Sequence, residues 1–139
     1  MTTAADFIAE ARTWIGVPFR HQGRSRHGVD CIGLVLQVRG KFEPPWRPAA
    51  AANVQYRRNP QALLAAGIAE NCIRLDRPEP AACALIQWPN QAHPAHVAIL
   101  TPDTIIHAYA KVGRVIETTY GNPWVRWTTS LWRIPGIEP

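Results

Sequence analysis

The sequence predicts an α+β fold in which N-terminal helices pack on an antiparallel sheet. Before Pro80, apolar residues recur at the spacing of amphipathic helices. After Pro80, short apolar runs alternate with Pro, Gly and Asn, which is typical of β-strands and their turns. Helices followed by strands are typical of an α+β domain. Because 139 residues suit one ordinary domain, we expect residues 1–139 to form a single domain.

Three helices are predicted, each from an apolar repeat and from residues that start or stop a helix. They cover residues 4–15, 31–40 and 59–70. Thr3 and Asp6 resemble a capping box at the start of the first helix, with Asp in place of Glu. Asn59 is the predicted cap of the third helix, and Pro60 is its first residue. The segment EPPWRP, residues 43–48, cannot continue a helix because proline lacks the N–H group and constrains its predecessor.

Five strands are predicted from the apolar runs after Pro80. They cover residues 84–88, 96–100, 104–109, 114–119 and 131–134. Short turns join the middle three, which favours antiparallel pairing between them.

The composition, with 47% hydrophobic and 18% charged residues, is that of a globular protein. No apolar stretch approaches the length of a membrane span, and the N-terminal MTTAADFIAEARTW lacks the features of a secretory signal. We therefore expect synthesis in the cytoplasm, without an export signal or a membrane span. The net charge of +5 comes from scattered basic residues, so no specific nucleic-acid partner is expected.

Three cysteines do not form a zinc pattern, since there is no C-x-x-C and no His at the required spacing, and no metal is expected. Cys72 and Cys83 are interpreted as core thiols, although a bridge between them stays open. Cys31 differs because it opens the second predicted helix. Unpaired N–H groups and the helix dipole favour an anion there, so we expect Cys31 to tend toward thiolate. The alternative is a small buried hydrophobic residue.

His96 and His107 are predicted to lie on one face of a β-hairpin that turns at residues 102–103. With that turn, Leu100 opposes Ile105, and the two histidines become diagonal neighbours about 7 Å apart at Cβ. A shift of one residue would place the two rings on opposite faces. A cysteine and two histidines match a nucleophile, its general base and the group that fixes the tautomer of the base.

Four segments of the sequence resemble the NlpC-type cysteine peptidases of bacterial cell-wall turnover, and they occur in the family's order. They are IGVPFRHQG at 15–23, GVDCIGLV at 28–35, AHVAIL at 95–100 and IIHA at 105–108. The form PFRHQGRSRHGVDCIGLV looks most similar to the short branch encoded in tailed-phage and gene-transfer-agent tail modules.

The resemblance implies a papain-like fold and a catalytic triad. By carry-over, Cys31 is the nucleophile, His96 the general base and His107 the residue that orients it. The implied reaction is hydrolysis of amide bonds in peptidoglycan stem peptides, commonly between D-glutamate and a diamino acid, with no metal or organic cofactor. In a phage tail, other tail-tip proteins would be partners, and the protein would open the cell wall during DNA entry.

The sequence also departs from the family's pattern at two positions. Phe19 replaces a Tyr whose hydroxyl is thought to help stabilise the oxyanion, and Ile32 replaces the Ser that commonly follows the nucleophile. Substrate contacts are expected from Asp30, Ile32 and His21, with capping of the Cys31 helix as the alternative for Asp30. A structural tail-tip subunit that keeps the fold without useful turnover is the competing hypothesis. An acyltransferase or lipid hydrolase is a third, disfavoured by the absence of a membrane-binding segment.

Overall fold

The structure is a computed structural model that describes residues 2–42 and 60–139, with only the backbone described for residues 60–63. The helices in these residues are α1 (Ala4–Arg12), α2 (Cys31–Phe42), α3 (Pro60–Asn71) and the short α4 (Trp124–Trp127). The predicted cap Asn59 and the segment 43–48 lie outside the described residues. Pro60 is the first residue of α3, as predicted.

Helix α1 begins as predicted but ends earlier. The Oγ1 of Thr3 accepts a hydrogen bond from the Asp6 N–H at 3.1 Å, which caps the helix. The prediction that α1 extends to residue 15 is wrong, because the chain tightens after Arg12. The N–H groups of residues 13–15 bond to carbonyls three residues back, as in a 3₁₀ turn. Gly16, with φ of 93°, then turns the chain.

The described strands form one six-stranded antiparallel sheet and two small ladders. The sheet contains, in spatial order, β4 (Ile73–Leu75), β9 (Thr128–Arg133), β5 (Cys83–Ile86), β6 (His96–Leu100), β7 (Thr104–Tyr109) and β8 (Arg114–Thr119). The ladders pair β1 (Thr2–Thr3) with β10 (Ile137–Glu138), and β2 (Arg24–Ser25) with β3 (Gly28–Val29). The α+β fold with an antiparallel sheet is therefore confirmed.

Three strands of the six-stranded sheet depart from the sequence prediction, and the four short strands of the two ladders were not predicted. Strand β5 runs from Cys83 to Ile86, whereas residues 84–88 were predicted. Strand β4 was not predicted, because three residues with a central Arg74 are too short for a recognisable alternation. Strand β9 begins three residues before the predicted start, because residues 128–130 pair with β5 around a register shift at Leu85 and Ile86. Cys72 and Cys83 are free thiols in the structure.

The two faces of the sheet bury different clusters. Helices α1 and α2 pack on one face through apolar side chains such as Phe7, Leu34 and Ile99. The opposite face, which carries His96 and His107 by strand alternation, is covered by a second cluster that includes four aromatic residues. Those four are Trp88, Tyr120, Trp124 and Trp127. Burying each large apolar side chain contributes about 1.5–3 kcal/mol, so both layers hold the sheet in place.

Candidate active site

Asp30 fixes the start of the Cys31 helix. Its Oδ1 accepts the Gly33 N–H at 2.7 Å, and its main-chain carbonyl accepts the Leu34 N–H at 3.0 Å. Oδ1 also pairs with Arg24 Nη1 at 2.9 Å, while Oδ2 accepts the Gln22 N–H at 3.0 Å. Because the carboxylate is buried and both oxygens are bonded inside the protein, the capping interpretation of Asp30 is confirmed.

Gly33 lets the loop that contains Gly23 approach helix α2 closely. A Cβ at Gly33 would collide with the carbonyl oxygen of Gly23 and crowd the side chains of Arg24 and Asp30. The signal in the sequence is the glycine itself, because glycine inside a helix costs about 1 kcal/mol relative to alanine and so indicates a packing reason.

The two predicted histidines meet on one face of the β6–β7 hairpin. The observed register pairs Leu100 with Ile105, as predicted. Nε2 of His96 lies 2.7 Å from Nδ1 of His107, and both side chains are buried. The geometric prediction for these two residues is therefore confirmed.

Thr118 on β8 extends this pair. Its Oγ1 lies 3.4 Å from Nε2 of His107, so the second ring has a partner at each nitrogen. Thr118 could not be identified from sequence patterns, since its position opposite β7 depends on the pairing with β8. If His96 donates its Nε2–H to His107, the Nδ1 of His96 keeps a free lone pair, which a general base needs.

Burial keeps both rings neutral at pH 7. It lowers the pKa of His96 well below 6.5, and the neighbouring His107 lowers it further. Burial also lowers the pKa of His107 to about 4. A neutral His96 can accept a proton from a thiol, whereas a protonated one cannot.

Cys31 is the first residue of α2, as predicted, but it is not a thiolate. Burial, followed by the negative charge of Asp30, raises its pKa to about 12, although hydrogen bonds from the N–H groups of Val97 and Ile32 lower it. The expectation of a thiolate is wrong for this state of the protein, because desolvation outweighs the helix start. Val97, whose N–H lowers this pKa, follows His96 on β6.

Cys31 and His96 open onto the same cleft, which has a volume of about 350 Å³. The residues around it come from the loop before β2, the start of α2, the approach to β6 and the end of β7. They are Phe19, Cys31, Trp88, Ala95, His96, Tyr109, Ala110 and Lys111. A substrate amide in this cleft would reach both the thiol and the imidazole.

An aromatic cluster, formed by Trp88, Tyr109, Trp124 and Trp127, surrounds the histidine pair. Trp88 stacks on His96 with ring centroids 5.2 Å apart. Tyr109 stacks on His107 at 5.4 Å, and Trp124 meets the same ring edge-on at 4.9 Å. Trp132 packs in the hydrophobic core, whereas Trp88 and Trp124 form walls of the histidine site.

The residues predicted to contact the substrate lie in different environments. Ile32 is only 1% exposed and packs in the hydrophobic core, so its predicted substrate contact is wrong. The physical reason is that position 32 of the helix faces the sheet, whereas Cys31 faces the cleft. His21 lies exposed in the loop after Phe19, and its substrate contact stays a prediction.

Two negative findings concern the described residues. Across residues 2–42 and 60–139, His, Cys, Asp and Glu side chains do not form a group of three or more suited to a metal ion. In the same part of the chain, no helix combines the length and hydrophobicity needed to cross a bilayer.

A helix that begins with a cysteine, packed on an antiparallel sheet that carries paired histidines, defines the papain-like class of α+β folds. Within that class, the sequence profile of the NlpC/P60 family matches residues 16–133. The chain belongs to the NlpC/P60 family. A comparison with curated protein sequences gives no significant match.

Solved structures share this fold at low sequence identity. The NlpC/p60 domain of the peptidoglycan hydrolase SagA has a TM-score of 0.60 and 21% identity, over 94% of this chain and 97% of that domain. An NlpC/P60 family protein from Bacillus cereus ATCC 10987 has a TM-score of 0.66 and 17% identity, over 94% of this chain but 40% of that one. The peptidoglycan hydrolase RipB from Mycobacterium tuberculosis has a TM-score of 0.56 and 17% identity, over 94% and 64% of the two chains.

Proposed function

We propose that this protein is a cysteine peptidase that hydrolyses amide bonds in peptidoglycan stem peptides. The observation that carries the proposal is the bonded pair of His96 and His107 beside Cys31 in one cleft. Membership of the NlpC/P60 family supports it, and two proteins of similar structure are named peptidoglycan hydrolases.

In this proposal, Cys31 is the nucleophile and His96 is the general base. The Nδ1 of His96 takes the thiol proton while the sulfur attacks the amide carbonyl carbon. Protonated His96 then donates that proton to the leaving amine, which leaves a thioester on Cys31. A water molecule, deprotonated by His96, attacks the thioester and releases the acid and the thiol.

His107 holds His96 in the productive tautomer. Its Nδ1 accepts the Nε2–H of His96, so the free lone pair of His96 stays on Nδ1. Because the resting thiol and imidazole are both neutral, proton transfer accompanies the attack and does not precede it. In this proposal the backbone N–H of Cys31 stabilises the oxyanion, without help from Phe19, whose ring carries no hydroxyl.

The bond between D-glutamate and a diamino acid is the proposed target, since the motif resemblance implies it. The form of the cysteine motif further supports a place in a phage tail, alongside other tail-tip proteins. The protein would be made in the bacterial cytoplasm and act in the periplasm or cell wall. It would open the cell wall locally, at the point of DNA entry.

A second candidate is a structural tail-tip subunit with the same fold. Two observations favour it, namely Phe19 in the cleft and the raised pKa of Cys31. The first removes a donor for the oxyanion, and the second lowers the fraction of thiolate, so both reduce the expected turnover.

Digestion of purified sacculi separates the two candidates. The native protein is expected to release stem-peptide fragments, detected by mass spectrometry, and the Cys31→Ala variant is expected to release none. Cys72→Ala is the matched control, because this free thiol does not line the cleft and its loss should leave release unchanged. If neither the native protein nor the control releases fragments while both are folded, the structural candidate is favoured.

A further inference from the structure

The cleft has a distinctive chemical lining besides its cysteine and histidine. Four of the other side chains are apolar, and the remaining two are the phenol of Tyr109 and the ammonium of Lys111. The lining includes no carboxylate. A ligand that complements this surface carries an acceptor or an anion, together with an aliphatic or planar portion that packs on Phe19 and Trp88.

The turn that presents Lys111 is held firmly against the other wall of the cleft. The N–H groups of Val112 and Gly113 bond to the carbonyl of Tyr109 at 3.1 and 2.9 Å. Gly113 has φ of 91°, a conformation that glycine adopts without strain, and its carbonyl accepts the Phe19 N–H at 2.8 Å. The backbone at Lys111 is therefore fixed relative to the cleft.

The ring of Tyr109 is fixed as well. It lies 5.8 Å from Trp88 and 5.3 Å from Trp124, measured between ring centroids, in addition to its stacking on His107. Little side-chain freedom remains to be lost when its hydroxyl binds a ligand.

Neither donor has an internal partner in the described part of the chain. There, no carboxylate pairs with the Lys111 ammonium, and no side-chain hydrogen bond involves the Tyr109 hydroxyl. An ammonium and a hydroxyl, two residues apart on the same turn, suit the two oxygens of one carboxylate.

We propose that Tyr109 and Lys111 form a subsite that binds a substrate carboxylate next to the amide that Cys31 attacks. The inference rests on the proposed function and deepens it by assigning the charge of the preferred substrate. The cleft volume of about 350 Å³ is at the small end for ligand sites, so the bound carboxylate lies close to the scissile bond.

Binding to the Cys31→Ala protein tests this subsite without turnover. The probes are two stem-peptide fragments that differ only at the D-glutamyl residue, one with a free α-carboxylate and one with a carboxamide. In calorimetric titrations, the carboxylate peptide is expected to bind roughly tenfold more tightly or better, the scale of a charge-assisted hydrogen bond. Adding Lys111→Gln is expected to remove this preference, whereas Lys111→Arg keeps most of it, and Tyr109→Phe reduces it a few-fold.

Lys41→Gln is the matched control, because Lys41 is exposed near the opposite end of α2 from Cys31. It should leave the preference unchanged. Equal affinity for the two peptides, a preference that survives Lys111→Gln, or no binding of either peptide overturns the subsite.

Hydrolysis by the native protein distinguishes the two proposals. Cleavage of both peptides without a preference overturns the subsite alone. Tighter binding of the carboxylate peptide with no cleavage supports the subsite and counts against the peptidase activity.

Discussion

His96 and His107 meet ring to ring across the β6–β7 hairpin, with Nε2 of His96 2.7 Å from Nδ1 of His107. Both rings are buried, so water competes little for their hydrogen bond. The bond uses one nitrogen of His96 and leaves the other for Cys31. This relationship determines which proton transfers the cleft can perform.

Replacing His107 tests its positioning role. His107→Ala is expected to lower kcat at least about 10²-fold with little change in KM, because His96 loses the acceptor that selects its tautomer. His107→Gln offers an amide oxygen and should restore part of the loss. The measurement is steady-state hydrolysis of a stem-peptide fragment. A loss in KM alone, or no rescue by Gln, would contradict a positioning role.

The free energy of unfolding is expected to depend on pH through the same two buried histidines, His96 and His107. Burial lowers the folded-state pKa of His107 to about 4, while an unfolded histidine titrates near 6.5, so the unfolded state binds protons first. Stability is therefore complete above pH 6.5 and falls as the pH drops toward 4, by roughly 3 kcal/mol at most from this ring.

Urea unfolding at a series of pH values measures this dependence. His107→Gln should make the curve less steep between pH 6.5 and 4, with the contribution of His96 remaining, whereas His93→Gln, at an exposed histidine, should leave it unchanged. A native curve that is flat over this range would show that burial does not depress the histidine pKa.

The reactivity of Cys31 should depend on His96. Since burial raises the thiol pKa to about 12, alkylation at neutral pH requires a base that removes the proton. Iodoacetamide labelling of Cys31, followed by peptide mass mapping, is expected to slow about tenfold or more in His96→Ala. Labelling of Cys72 is the internal control and should keep its rate. Faster labelling of both thiols would indicate unfolding, because burial is what raises both pKa values, and an unchanged rate at Cys31 would contradict the role of His96.

A hydroxyl at position 19 is expected to raise turnover. Phe19→Tyr adds a donor to the wall of the cleft that already contains Cys31, and one oxyanion donor is worth roughly 10²-fold in favourable cases. We expect kcat to rise about tenfold with KM nearly unchanged. Phe42→Tyr, outside the cleft lining, is the matched control. An unchanged kcat would show that the new hydroxyl does not reach the oxyanion.

We expect substitution of Asp30 to lower the stability of the fold more than it lowers the affinity for substrate. Asp30→Ala removes the cap of α2 and the partner of Arg24, so the free energy of unfolding should fall by about 1–2 kcal/mol, measured by chemical denaturation. Asp30→Asn keeps the acceptor for the Gly33 N–H and should recover most of it. If Asp30→Ala unfolds as the native protein does but loses affinity for a stem-peptide amine, a substrate contact replaces the capping role.

Local features of the site could be predicted from the sequence because short-range rules fix them. Asp30 before Cys31 specifies where a helix begins, and the turn at residues 102–103 fixes which side chains of the hairpin share a face. These two rules identify Cys31 at a helix start and place His96 and His107 on one face, but they do not bring the cysteine to the histidines. The motif resemblance then supplied their proposed roles.

Burial and long-range contact were decided only by the tertiary structure. The sequence shows Cys31 at a helix start, but its pKa depends on how completely other elements exclude water from the sulfur. Ile32 points into the core and away from the cleft because α2 packs on the sheet with that face.

The aromatic walls have the same origin, since Trp88 and Trp124 are distant in the sequence and meet at His96 only after β5 and β9 pair. The sequence by itself thus determined which residues are candidates for the chemistry. The packing of distant elements decided their protonation and their surroundings, because desolvation depends on every neighbour in space and on few neighbours in sequence.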